Sequence, residues 1–317
     1  MMPLQLTGTE LAADLRQLML ARPLFSGRVH SVFDRSVNVL TGQDELVTVT
    51  VAPRGVMPTG FSVNLDHTGP LGLSPGSELV FERLSVRLPG GRRISLKEAR
   101  VRPVFVERDQ FRNFSPDPAV LDDLKAILLA ADSPGIAPLA AWIPGEEDLP
   151  RNPGNHYCAF IARDLRNFTH ALVRGEEEGL SALSARLIGF GPGLTPSLDD
   201  FLSAVALVLF ARDRGEAFLK NLGALARNRT TLVSCHMLKN AAAGKAQGLY
   251  RRLLEKLRDG DPGAFRQAAG EVLDYGASSG ADFLYGFYCA LYAWIKQDAV
   301  RVNPDRLMEE KAFASKE

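Results

Sequence analysis

Cysteine is scarce in this 317-residue chain: Cys158, Cys235 and Cys289 are odd in number and far apart. That excludes a disulfide framework and reads as free thiols in a reducing compartment. Histidine is scarce too, and His30, His67, His156, His170 and His236 show no metal-ligand spacing such as H-E-x-x-H, so no zinc site is expected. Net charge is missing: 37 lysines and arginines balance 37 aspartates and glutamates, which removes the global field that would recruit nucleic acid or an anionic membrane. The longest apolar runs, FLSAVALVLFA at 201–211 and ADFLYGFYCALYAWI at 281–295, fall short of the ~20 residues a bilayer span requires and read as core helices. The opening MMPLQLTGTELAADLRQLML lacks a secretory pattern. A cytoplasmic protein without membrane or nucleic-acid partners is expected.

What is present divides in two. From Gly27 to about Arg102, short β-branched runs (RVHSVF, SVNVLT, LVTVTV, FSVNL, ELVFERLSVRL, RRISL) are punctuated by glycine- and proline-containing turns. SVRLPGGRRISL is the clearest hairpin, because Gly90 and Gly91 supply the positive φ angles of a tight turn. Beyond Phe111 the apolar spacing becomes helical. The expected fold class is α+β: an antiparallel β-rich domain over 1–110, barrel-like or sandwich-like with a short N-terminal helix, then an all-α domain over 111–317. NFSPDPAV near 113–120 and IPGEEDLPRNPGN at 143–155 are the candidate linkers, and the terminal MEEKAFASKE reads as frayed.

The stretch LIGFGPGLTPSLDDFLSAVALVLFA carries the most chemical information. Gly189, Gly191 and Gly193 let backbone N–H groups approach a ligand. Pro196 suits a first helical residue and Thr195 its N-cap. Such a helix start presents unpaired N–H groups and the positive end of a dipole to phosphate, carboxylate or carbamoyl oxygens. The loop matches neither the P-loop nor GxGxxG, so no nucleotide is expected. SLDDFL at 197–202 and SGADFL at 279–284 share S-x-x-D-F-L, in which serine and aspartate form a reciprocal cap. A third helix starts at RTTLVSCHMLKNAAAG, capped by Thr230 or Thr231 and ended by Gly244. Asp199 and Asp200 project about 100° apart on a helix; one caps, while the other is free to face a ligand or hold magnesium through water. The plainer alternative is that these are ordinary structural caps, worth about 1 kcal/mol each. Cys235 and His236 are helix neighbours that diverge, so they form no nucleophile–base pair. Arg227, Arg229 and Lys239 are available to neutralise an anion near the third start, with Asn240 a polar contact on the face of His236.

These three blocks, in this order and spacing, resemble the bacterial family that includes the AllH subunit of oxamate carbamoyltransferase, and the β-rich half from VHSVFDRSVNVLT onward resembles that family's start. The resemblance implies a multi-subunit enzyme of purine or allantoin breakdown that transfers the carbamoyl group of oxalurate to phosphate, giving oxamate and carbamoyl phosphate. The partners implied are a small anionic metabolite and other carbamoyltransferase subunits; a non-catalytic anion-binding or assembly subunit is the alternative. The family signature falls on Gly191, Gly193, Thr195, Pro196, Ser197, Asp199 and Asp200, and on Ser278, Ser279, Gly280 and Asp282. Catalytic roles are expected for Asp199, Asp200 and Asp282, and substrate contacts for Gly191, Gly193, Thr195, Ser197, Thr230, Thr231, Ser278 and Ser279. One departure stands out: the family reads T-P-S-G-D-D, and Leu198 takes the glycine's place here.

Overall fold

The computed structural model describes residues 6–51, 55–142, 144 and 154–302; most of the 143–155 linker candidate and the charged C-terminal stretch lie outside these. Two compact units emerge, one of residues 1–105 with 245–251 and one of residues 106–244 with 252–317.

In the first unit, β1 (Leu6–Ala12) leads into α1 (Ala13–Ala21), followed by β2 (Leu24–Val32), β3 (Ser36–Thr41), β4 (Leu46–Val51), β5 (Gly60–Val63), β6 (Glu78–Glu82), β7 (Ser85–Arg87), β8 (Arg93–Ser95) and β9 (Arg100–Arg102). The strands pair in the order β1-β5-β4-β3-β2-β6-β7-β8 and return to β1, which closes a barrel and leaves no long free edge. β9 adds to β1 beyond the β8 contact. The fold class is α+β as expected, but the barrel is mixed. β1 runs parallel to β8 and β9, and β4 parallel to β5, whereas the remaining pairs are antiparallel. Hydropathic alternation reports which face a strand buries, not the direction of its neighbour. The PGG hairpin forms as the sequence suggests, with Gly90 at φ 76° and Gly91 at φ 83° between β7 and β8.

Val37, Val39, Val47, Val49, Phe61, Phe81 and Ile94 fill the core, joined by Leu15 and Met19 of α1. All six residues of β4 are buried, and its threonines are satisfied: Thr48 Oγ1 donates to Asn38 Oδ1 at 3.0 Å and Thr50 Oγ1 to the Gly55 carbonyl at 3.1 Å. The segment 245–251 joins this unit through Ala246, whose N–H donates to the Val104 carbonyl, and through Lys245, which pairs with Asp14.

The second unit contains α2 (Ala119–Ala130), α3 (His156–Arg174), α4 (Glu177–Leu187), α5 (Ser197–Ala211), α6 (Glu216–Ala226), α7 (Leu232–Ala242), the part of α8 (Gly248–Asp259) from residue 252 onward, α9 (Pro262–Leu273) and α10 (Ser279–Val302). Every residue of α5 except Phe210 is buried, as befits a helix apolar on nearly all sides. Its neighbours meet it through aromatic rings: Phe201 lies 5.8 Å from Phe168 of α3 and 5.6 Å from Tyr285 of α10. Gly286 of α10 abuts the α5 backbone so closely that an added Cβ would sit 2.2 Å from the Phe201 carbonyl oxygen. Among the described residues no helix is long and apolar enough to cross a membrane.

The crossing at Gly286 generates a test. Gly286→Ala forces two rigid backbones apart and should lower unfolding free energy by about 1–3 kcal/mol despite alanine's better helix propensity. Urea denaturation would measure it; an unchanged midpoint would mean that the helices tolerate a wider crossing.

Candidate functional site

The loop between α4 and α5 folds back on its own helix start because three of its glycines take φ values closed to other residues: 82° at Gly189, 119° at Gly191 and 93° at Gly193. A Cβ on Gly189 would lie 2.2 Å from the Arg229 carbonyl oxygen, and one on Gly191 2.5 Å from the Ser197 nitrogen. The turn therefore lies against both the approach to α7 and the start of α5. Between Gly191 and Ser197 the prolines carry no N–H, and the N–H groups of Gly191, Gly193, Leu194, Thr195 and Ser197 donate to no acceptor among the described residues. Gly193 is exposed and Gly191, Leu194 and Thr195 are half-buried, so these four donors lie along an accessible stretch, whereas Ser197 is fully buried.

The capping differs from the expected pattern. Pro196 occupies the N-cap position and α5 begins at Ser197. Thr195 does not cap α5; its hydroxyl lies 3.0 Å from that of Ser279, tying the loop to the first residue of α10. The reciprocal Ser–Asp caps do not form either, because Ser197 and Ser279 stand inside their helices instead of preceding them. α7 does follow expectation: Thr231 accepts a hydrogen bond from the Ser234 N–H at 3.1 Å, and its hydroxyl donates to the Leu194 carbonyl at 2.6 Å. Three helix starts thus converge on one loop.

Behind the loop lie the carboxylates. Asp199, Asp200 and Asp282 are buried, each 1% exposed or less. Asp199 Oδ1 accepts the Gly189 N–H at 2.8 Å and its Oδ2 accepts the Thr230 hydroxyl, clamping the loop to the approach of α7. Asp282 Oδ1 accepts the Ile136 N–H at 2.7 Å. Gly135 makes that approach possible, since a Cβ there would fall 2.2 Å from the same carboxylate. Asn155, the N-cap of α3, holds this turn by donating to the Gly135 carbonyl at 2.7 Å. Sequence reasoning missed the Ser133–Ile136 turn; its one signal was the Pro134–Gly135 pair, which reads as ordinary punctuation.

Several polar atoms here are buried without a partner: Ser197 Oγ, Ser234 Oγ, Asp200 Oδ2 and Asp282 Oδ2. Burial raises the pKa of Asp200 well above the usual carboxylate range, the neighbouring Asp282 charge adds to the rise, and the hydroxyls of Ser279 and Thr195 oppose it only in part. Burial likewise raises Asp282, against the opposing influence of Ser197, Ile136 and Ser278, and raises Asp199, against Thr230 and Gly189. The Ser197 hydroxyl moderates Asp282 by proximity without closing a hydrogen bond to it. Among the described residues no group of three or more His, Cys, Asp or Glu side chains is arranged to hold a metal ion, so the magnesium expectation gains no donor set from these carboxylates.

Leu198, at the family's glycine position, is fully buried, and its N–H donates to the Phe190 carbonyl at 3.1 Å. The extra side chain belongs to the core and does not obstruct the accessible face of the loop. Beside that face Phe160, 76% exposed, stacks on Phe190 at 5.3 Å. None of the three cysteines forms a disulfide; burial pushes Cys158 up to about 11 and Cys289 further, as suits two unreactive thiols. A cavity of about 990 Å³ in the helical unit is lined by none of the loop, serine, threonine or aspartate candidates; of the residues singled out from the sequence, Arg227 and Lys239 reach it.

Comparison with known proteins fits this division of the chain. Residues 187–291, from the loop to α10, match the family model described as oxamate carbamoyltransferase subunit AllH, and residues 7–101 match that of the AllH family N-terminal domain. No solved structure matches the chain.

The raised pKa of Asp200 fixes the sign of a pH effect. Folding takes up a proton at this site, so its contribution to stability is complete below the unfolded pKa of ~3.9 and is lost as pH rises through the folded value. Asp200→Asn removes that dependence. Its stability relative to wild type should climb with pH above about 4, read by urea denaturation at successive pH values. A pH-independent difference would show that Asp200 folds as a charged group.

Proposed function

The chain belongs to the AllH family of oxamate carbamoyltransferase subunits, and from that premise we propose that its glycine loop binds the small anions of carbamoyl transfer: oxalurate or oxamate, and phosphate or carbamoyl phosphate. The observation that carries this reading is the row of unpartnered N–H groups from Gly191 to Thr195 on the accessible stretch of the loop. Such donors hold planar and tetrahedral oxyanions without net positive charge, which suits a chain whose formal charge is zero. In the forward direction a phosphate oxygen attacks the carbamoyl carbon of oxalurate. The C–N bond to the oxamate nitrogen breaks, that nitrogen takes a proton, and carbamoyl phosphate and oxamate leave. The loop's contribution is to stabilise the oxyanion formed on attack, with Thr195, Ser278 and Ser279 orienting the substrate. Asp199, Asp200 and Asp282 serve as positioning residues, since burial keeps them from the accessible face. The setting is purine or allantoin catabolism in the cytoplasm.

A second reading has its own support. No described carboxylate of the cluster reaches the accessible face of the loop, which favours an anion-binding subunit whose partner chains supply the proton transfer.

Calorimetric titration of the full chain with carbamoyl phosphate and oxamate, alone and with the remaining subunits of the enzyme, tests both. Binding weakened by about tenfold (about 1.4 kcal/mol) in Thr195→Ala supports the loop as the site. Turnover by the isolated chain selects the catalytic reading, and turnover restricted to the assembled enzyme selects the second. Absence of binding in every arm would remove the loop from consideration.

A further inference from the structure

A second charged feature of the helical unit lies outside the loop cluster. The cavity of about 990 Å³ is bordered by α6, α7 and the residues leading into α6, and its lining carries Arg108, Arg214, Lys220, Arg227 and Lys239 against only Asp213 and Glu216. Two of those cations are committed: Arg108 pairs with Asp213 at 2.8 Å and Lys220 with Glu216 at 2.7 Å. The side chains of Arg214, Arg227 and Lys239 make no ion pair or hydrogen bond among the described residues. Three uncompensated positive charges around one concavity, in a chain whose total charge is zero, concentrate a field that isolated surface lysines do not.

The floor of this groove is built from small residues. Gly223, Ala224, Ala242 and Ala243 line it, and Gly223 lies so near Lys239 that a Cβ there would meet the lysine Cγ at 2.8 Å. The missing side chain lets the lysine stem lie across α6. Arg214 precedes α6 and Arg227 follows it, and a helix of this length spans roughly 16 Å. One tetrahedral anion cannot engage positions so far apart, and a cavity of about 990 Å³ far exceeds what it needs. No aromatic side chain lines the cavity, so it lacks the stacking platform on which single-stranded nucleic acid is held.

We propose that the groove between α6 and α7 is a binding site for a small molecule carrying at least two phosphate groups, held by Arg214, Arg227 and Lys239. This site is separate from the loop, and its assignment does not depend on the loop's function. α7 has Thr231 at its start beside the loop and Ala242 at its end in the groove.

Isothermal titration of the full chain with phosphate, pyrophosphate and tripolyphosphate at constant ionic strength tests the proposal. Affinity should rise along that series, and Arg214→Gln, Arg227→Gln and Lys239→Gln combined should weaken tripolyphosphate binding by about tenfold or more. Gly223→Ala, which displaces the lysine stem while keeping every charge, should weaken it less, and Thr195→Ala should leave it unchanged. Tripolyphosphate binding as tight in the triple variant as in the unaltered chain, or lost in Thr195→Ala, overturns the groove assignment. So does a single-stranded oligonucleotide that displaces tripolyphosphate at lower concentration, which would mark the groove as a nucleic-acid track.

Discussion

Three carboxylates removed from water at the starts of two adjoining helices impose the constraint on which the helical unit depends. Asp199 has both oxygens occupied, by a loop N–H and a threonine hydroxyl. Asp282 has one oxygen occupied and Asp200 carries a buried oxygen with no partner. An unpaired buried carboxylate is costly, so the surrounding chain must either donate to it or let it keep a proton. The turn at Gly135, the glycine loop and the residue before the α7 cap are all drawn inward by that demand. The first two give up side-chain volume to bring a backbone donor close, and Thr230 brings its own hydroxyl.

The same constraint explains why α5 and α10 carry similar starts yet use them differently. Both helices are buried over most of their length and cross where Gly286 admits the α5 backbone. Close crossing places their first turns side by side, so a hydroxyl on one side meets a hydroxyl on the other, as Thr195 meets Ser279. The serine–aspartate repeat therefore serves contact between helices and not the capping of each helix by itself. The dipoles of these helix starts favour negative charge nearby, which moderates the burial of the carboxylates and leaves the loop's own N–H groups uncommitted.

Much of this was legible in the residues. β-branched runs and the Gly90–Gly91 turn announce a β-rich first half, barrel-like or sandwich-like, and the switch to helical spacing announces the second half. The glycines of the 189–193 loop occupy φ values that require glycine, so their spacing was a true conformational signal. The direction of β1 against β8 and β9 was not legible, because strand direction leaves no mark on hydropathy. The burial of the aspartates was hidden for a related reason: D-D after a loop reads as a polar face, and only tertiary packing around α5 shows that both side chains point into a filled interior. Asp282's attachment to Ile136 joins residues 146 apart in sequence, a distance across which no local pattern speaks. Leu198 likewise looked like an intrusion into the loop until the fold placed it in the core.

The protonation state of Asp200 links stability to the proposed chemistry. A negatively charged carboxylate a few ångströms behind an anion site would repel the ligand in a medium where charges are weakly screened. Burial and the charge of Asp282 both push Asp200 toward the neutral form, which removes that repulsion at the position nearest to Thr195 and Ser279. On the proposed function, that shift toward the neutral acid lessens the opposing charge behind the loop's N–H groups. On that function the aspartates need not touch a substrate to matter: one clamps the loop, one anchors the Ile136 turn, and one is pushed toward its neutral form, which lowers the repulsion that an anion at the loop would meet.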